Sequence, residues 1–149
     1  MIQCLNIDDS KTLRLVYNLQ KKSYSKEAQL INFYDIPPLQ ETLEDLHQSE
    51  EIFVGYVQQQ KICGAISYKV SEEMLDIHRL MVDPNHIRKG IAQALISFIL
   101  QKNKTVIVAT PQQNTPAVNL YLKMGFVKTY SEVVATDLQI QHFRFDPVL

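Results

Sequence analysis

The chain has 149 residues, of which 46% are hydrophobic and 21% charged, with a formal net charge of −1. That length suits one ordinary domain, residues 1–149, with a core of its own. The balance excludes a disordered chain and a nucleic-acid binder driven by bulk charge. No apolar run approaches the roughly 20 residues of a membrane span, so no membrane partner is expected. Met1-Ile2-Gln3-Cys4-Leu5 lacks the basic flank and apolar region of a secretory signal. Cys4 and Cys63 lie in apolar runs with no metal-ligand spacing. Buried free thiols in a reducing, cytoplasmic setting are the expectation, and no metal is.

In chain order, Ile2 to Ile7 reads as a strand ended by Asp8-Asp9-Ser10, where Asp9 or Ser10 can cap a helix over Lys11–Lys21. A second helix, about Lys26–Phe33, should stop before Ile36-Pro37-Pro38, because proline disfavours helix in the preceding residue. Leu39–Gln48 reads as a short third helix. Strands follow at Ile52–Gln58, Ile62–Val70 and Met74–Val82. Asp83-Pro84-Asn85 breaks the sheet. A helix then runs from about Arg88 to Lys102, with Ile91, Leu95, Phe98 and Ile99 on one face. Thr105–Thr110 has the continuous apolar pattern of a strand buried on both faces. Asn114–Met124 is a short helix that Gly125 can cap. Phe126–Ala135 and Leu138–Phe145 form a hairpin. A bulge near Gln141-His142 would explain the apolar phase shift in its last strand. The order β-α-α-β-β-β-α-β-α-β-β predicts an α/β protein (α+β by some conventions), a mixed sheet with helices on both faces.

Charge is unevenly placed. Residues 1–83 carry 13 acids against 8 bases, whereas residues 84–131 carry six Lys/Arg and no carboxylate. Self-repulsion disfavours such a segment unless an anion binds there.

Val82-Asp83-Pro84-Asn85-His86-Ile87-Arg88-Lys89-Gly90-Ile91-Ala92 takes the chain from a strand end through a loop to a helix start. The first N–H groups of a helix lack intrahelical partners and, with the dipole, form an anion site. Gly90 and Ala92 let a phosphate approach the backbone. Cations in a first turn, here Arg88 and Lys89, oppose the dipole unless an anion sits there. Neither a Gly-x-x-x-x-Gly-Lys-Ser/Thr nor a Gly-x-Gly-x-x-Gly is present.

This stretch resembles the acyl-CoA signature of the GCN5-related N-acetyltransferase (GNAT) superfamily: Val-x-Pro at a strand end, then Gln/Arg-x-x-Gly-x-Gly/Ala. Val82, Pro84, Gly90 and Ala92 fall in register. Ile87 takes the Gln/Arg position, with Arg88 and Lys89 behind it. A second family motif, Asn-x-x-Ala-x-x-Leu-Tyr-x-Lys-x-Gly-Phe, stands as Asn114, Ala117, Leu120, Tyr121, Lys123, Gly125 and Phe126.

The resemblance implies a mainly antiparallel sheet of about seven strands with about four helices. It also implies transfer of an acetyl group from acetyl-CoA to a primary amine. It assigns pantetheine to backbone groups of Leu80, Met81 and Val82, with Val82 or Met81 polarising the carbonyl. The pyrophosphate goes to Ile87, Arg88, Lys89, Gly90, Ile91, Ala92 and Gln93. Asn114 becomes a pantetheine contact and Tyr121 the acid that protonates the departing thiolate. Asp76, His78 and Glu73 are candidate bases beside a water chain. Glu41, Glu44, Asp45, Glu50 and Glu51 read first as a solvated helix face; alternatively, with the loop around Tyr34–Leu39, which in the family usually walls the acceptor site, they would favour a cationic acceptor. Polyamine, aminoglycoside, amino-acid and protein-terminus acceptors stay open, as do monomer and homodimer, and a non-catalytic acyl-CoA sensor is the alternative.

Overall fold

A computed structural model describes residues 1–148. Strands β1 (Ile2–Leu5), β2 (Ile52–Gln58), β3 (Lys61–Ser71), β4 (Met74–Val82), β5 (Thr105–Pro111), β6 (Val127–Ala135) and β7 (Leu138–Phe145) form one sheet, in the order β1-β2-β3-β4-β5-β7-β6. Every pairing is antiparallel except β4 with β5. The expected α/β class and strand count hold.

The two helices expected near the N-terminus are one, α1 (Ser10–Ile31). Asp9 caps it, accepting from the Thr12 N–H at 3.0 Å, and Asn32 ends it in the left-handed region at φ 55°. Lys22-Ser23-Tyr24-Ser25 holds no glycine or proline, so two serines cost only a few tenths of a kcal/mol of propensity each. The core-facing stripe Leu13, Val16, Leu19, Gln20, Ala28 and Ile31 runs through the suspected break and outweighs that cost.

Ile36 is extended, as the residue before proline should be, but Pro37–Gln40 is itself a single helical turn, α2, with proline in its first positions. The helix expected over Leu39–Gln48 is therefore divided. Thr42 restarts it as α3 (Leu43–His47) through a capping box with Asp45. Cys63 is buried as expected, whereas Cys4 is exposed because β1 is an edge strand.

Helices α4 (Ile91–Leu100) and α5 (Thr115–Lys123) cover one face of the sheet, and α1 and α3 the other. Ile91, Leu95, Ile96 and Ile99 of α4 pack with Val54, Ile66, Leu75 and Val106. Leu13, Val16 and Leu19 of α1 pack with Phe53, Ala65 and Met81. Gly64 sets how closely α4 sits. A Cβ there would lie 2.5 Å from Ile91 Cγ2 and 3.1 Å from the Met81 carbonyl oxygen.

The bulge expected in the last strand is on its partner. β7 stays in continuous register with β5, while β6 slips against β7 between Lys128 and Ser131 and again between Val133 and Ala135. The phase shift in β7 arises because both of its faces are covered. Leu138 and Ile140 pack toward α1, and Phe143 and Phe145 toward α4 and α5.

Candidate active site

The site is set by two irregularities in β4. Tyr68 pairs with Ile77 and Ser67 with Arg79, so His78 has no partner in β3 and forms a bulge. The bulge inverts the side-chain phase. Leu75 and Ile77 before it, and Leu80 and Val82 after it, all face α4, while Arg79 and Met81 face α1. His78 and Asp76 therefore do not share a face with Leu80 and Val82, contrary to simple alternation. The second irregularity is the end of pairing with β5. Only Met74, Leu75 and Asp76 find partners, in Thr105, Val106 and Ile107. Beyond them the parallel strands part. Their split opens a cavity of about 390 Å³.

At the mouth of the split, α4 begins later than its sequence suggests, at Ile91 rather than Arg88. Arg88 (φ 65°) and Gly90 (φ 75°) are both left-handed, so the loop curls before the helix starts and Arg88 and Lys89 precede the first turn. Gly90 is the N-cap and offers no side chain to the orphan N–H groups. Its missing Cβ would meet nothing within 4 Å, so glycine answers the backbone angle and the space above it is open. Ile91 is buried on β3, and the neighbouring Ile87 is half exposed. Gln93 accepts from Lys123 Nζ at 3.3 Å, which brings a third cation to this helix start. Lys102 and Lys104 lie beyond the far end of α4. Lys102 sits over the rings of Phe98 and Tyr68. Only part of the carboxylate-free segment thus converges on the expected anion site.

Inside the split lies Tyr121, 3% exposed, with its ring 5.4 Å from Phe126 and 5.5 Å from Phe143. It lines the cavity. Burial pushes its hydroxyl well above the ordinary tyrosine range, and the nearby Tyr24 and Glu27 add to that rise. Asn114 caps α5 by accepting from the Ala117 N–H at 3.2 Å, and its Nδ2 donates to Glu27 Oε1 at 2.6 Å. The β4 backbone is approached from α1. The Val82 N–H donates to Ser23 Oγ at 3.2 Å, and the buried Tyr24 hydroxyl lies against the Leu80 backbone. Burial pushes the Tyr24 hydroxyl far up as well.

Of the candidate bases, His78 lines the cavity, while Asp76 and Glu73 do not. Asp76 lies where β4 and β5 are still paired, 3.4 Å from His78, and Glu73 is in the β3–β4 turn. The acidic cluster is spent elsewhere. Glu41 and Glu51 both hold Arg79, Glu44 accepts from Gln48, and Asp45 is in the capping box. Burial alone would push the Glu51 carboxyl up, but bonds from Arg79 and Ser67 outweigh it and hold the carboxyl low. The same two carboxylates keep Arg79 firmly charged despite burial. Of the loop around Tyr34–Leu39, Ile36, Pro37 and Pro38 line the cavity.

The expected break between two N-terminal helices hides Ser23, Tyr24 and Glu27 as site residues. Their signal was the continuous stripe itself. Gln20, Tyr24 and Glu27 follow Leu13 and Val16 at helical spacing, placing polar groups where core is expected.

Among the described residues no helix is long and apolar enough to cross a membrane, and no metal-binding cluster occurs. The chain resembles Bacillus subtilis UPF0157 protein YqkA, at 37% identity over 150 residues, covering 99% of this chain and 44% of that protein. It resembles human N-acetyltransferase 8 at 37% identity over 90 residues, 55% of this chain and 37% of that one. The chain thus spans less than half the length of these two relatives. Its fold matches the crystal structure of Escherichia coli ribosomal-protein-S18-alanine N-acetyltransferase with a TM-score of 0.78 at 16% identity, covering 99% and 92% of the two chains. It also matches the Thermoplasma acidophilum PaiA N-acetyltransferase in complex with coenzyme A, at 0.72 and 17%, covering 97% and 98%. The family model for the acetyltransferase (GNAT) domain matches residues 20–146, and the chain belongs to that family, whose acyl donor is acetyl-CoA.

Proposed function

We propose that this chain is one N-acetyltransferase domain that moves an acetyl group from acetyl-CoA to a primary amine of a small molecule or peptide. The observation that carries the reading is the split of β4 from β5 past Asp76 and Ile107. The cavity it opens is lined by Leu80, Asn114 and the buried Tyr121, while the uncapped start of α4 follows the C-terminal end of β4 outside that lining.

The residues present fit the donor. The uncapped N–H groups of Ile91, Ala92 and Gln93, with Arg88, Lys89 and Gly90 ahead of them, suit a pyrophosphate. The backbone of Leu80, Met81 and Val82 suits pantetheine. Asn114 can also reach that arm through the second hydrogen of its amide. Bound acetyl-CoA supplies an activated acyl group as a thioester. Tyr121 holds a proton at neutral pH because burial disfavours its phenolate, so it can give that proton to the departing sulfur. His78, whose ring lies within 3.5 Å of Glu51 and 3.4 Å of Asp76, borders the acceptor side of the same cavity.

Acetyl-CoA is expected to raise Tm. At 100 times its Kd the linkage is worth about 2.7 kcal/mol, or about 5–10 °C for a chain of this size. Differential scanning fluorimetry reads the shift, and its absence at millimolar acetyl-CoA overturns the reading. Stabilisation without thioester cleavage across an amine panel would assign an acyl-CoA sensor instead.

A further inference from the structure

Glu27 is the only carboxylate among the residues lining the cavity. Its position is fixed from across the site. Asn114 Oδ1 caps α5, which forces Asn114 Nδ2 toward Glu27 Oε1, where it donates at 2.6 Å. One neutral donor leaves most of the acceptor capacity of a carboxylate unused. Among the described residues no salt bridge reaches Glu27, whereas the other interior carboxylates, Glu41 and Glu51, share Arg79. A charge removed from water without a cation is unfavourable, and burial pushes the Glu27 carboxyl up. The cavity's apolar lining includes Ile36 and Pro37 and, from the β6–β7 hairpin, Val134, Leu138 and Ile140, and its other titratable or charged groups are Tyr24, His78, Arg79 and Tyr121. A polycation would bring several ammonium groups to a cavity with one carboxylate.

We propose that Glu27 receives the ammonium of the acceptor and takes its proton, and that the cavity selects a monoamine on a compact apolar body over a polyamine or an aminoglycoside. This inference rests on the acetyl-transfer reading above. The ammonium gives one proton to the Glu27 carboxylate. The freed nitrogen lone pair forms the N–C bond to the acetyl carbon, and the C–S bond breaks with its electrons on sulfur. Sulfur takes the Tyr121 proton, a second proton from nitrogen restores the Tyr121 hydroxyl, and Glu27 releases its proton to solvent. The products are an amide, a thiol and one proton.

The test uses the full chain with phenethylamine, 2-phenylethanol, spermidine and kanamycin as probes. With saturating CoA, phenethylamine should add to Tm and 2-phenylethanol should not. With acetyl-CoA, kcat/KM for phenethylamine should exceed that for spermidine and kanamycin by at least about tenfold. Glu27→Gln can still accept from Asn114. It should remove the phenethylamine increment, lower kcat/KM about 100-fold and flatten the acidic limb of the pH profile. The Tm increment from CoA alone should persist. A phenethylamine increment that is absent, or that survives Glu27→Gln, overturns the proposal, and so does a preference for spermidine or kanamycin. Loss of the CoA increment in the unaltered protein is a different result, and it sinks the parent reading.

Discussion

Gln20 and Glu27 stand seven residues apart on α1, two turns along one stripe, and they end in opposite kinds of polar cluster. Gln20 enters a closed one. Its Oε1 accepts from Arg79 Nη1 at 2.7 Å, and its Nε2 donates to the Pro38 carbonyl and to Glu41. Arg79 fills its fork on Glu41 and Glu51, and Ser67 completes Glu51 at 2.6 Å. Glu27 enters an open cluster, with Asn114 as its one donor and two high-pKa phenols beside it. The closed cluster matches donors to acceptors, so its carboxylate is held ionised. The open cluster offers Glu27 one hydrogen-bond donor and no cation, so burial raises the Glu27 carboxyl and both phenols above their ordinary values. A matched network specifies geometry. An unmatched one next to a cavity keeps capacity for a ligand and a proton.

Breaking the closed cluster should have the largest effect. Arg79→Leu leaves two carboxylates unpaired where the Arg79 and Glu51 side chains are only 8% and 4% exposed. Removing one partner of a buried ion pair typically costs about 3–5 kcal/mol. A fall in Tm of about 6–20 °C follows for a chain of this length. Calorimetry on the purified variant measures it. A Tm unchanged within about 2 °C would show that the network does not hold α1, the α2–α3 segment and β4 together.

The open cluster should respond in rate instead. Tyr121→Phe keeps the ring against Phe126 and Phe143 and removes only the hydroxyl. Turnover should fall about 100-fold, the size of a typical general-acid contribution, with the Tm increment from CoA kept. Single-turnover thioester cleavage is the measurement. Unchanged turnover removes Tyr121 as the acid.

How far the sequence reached follows the same division. The strands, the break at Asp83-Pro84-Asn85 and the Asn114–Met124 helix are legible because local signals mark them: proline, glycine, caps and short apolar periods. The bulge at His78 is not, since a bulge leaves ordinary residue types in place and only inverts their phase. That inversion takes His78 and Asp76 off the face they would share with Leu80 and Val82 under simple alternation. Glu27 was hidden by a helix boundary drawn where two serines weaken propensity, although packing along the whole stripe carries α1 through. The start of α4 moved because left-handed angles at Arg88 and Gly90 are a loop property that a run of helix-compatible residues does not display.

The smallest effect, and the one that separates the clusters most directly, is the pH dependence of stability. Glu27 has a raised folded-state pKa, so the folded chain holds more protons than the unfolded one above the ordinary carboxyl value. Stability from this group is full below that value and is lost as pH rises through the raised one. Glu51 has a lowered folded-state pKa, so its contribution is present above the ordinary value and is lost as pH falls through the lowered one. Glu27→Gln should therefore gain in Tm against the unaltered protein on going from pH 4 to pH 7, by a few degrees at most. Glu51→Gln should lose over the same interval by more, because it also strands part of Arg79. Melting curves of the three proteins between pH 4 and pH 7 decide it. If both differences move in the same direction, the two carboxylates do not differ in the way their partners imply.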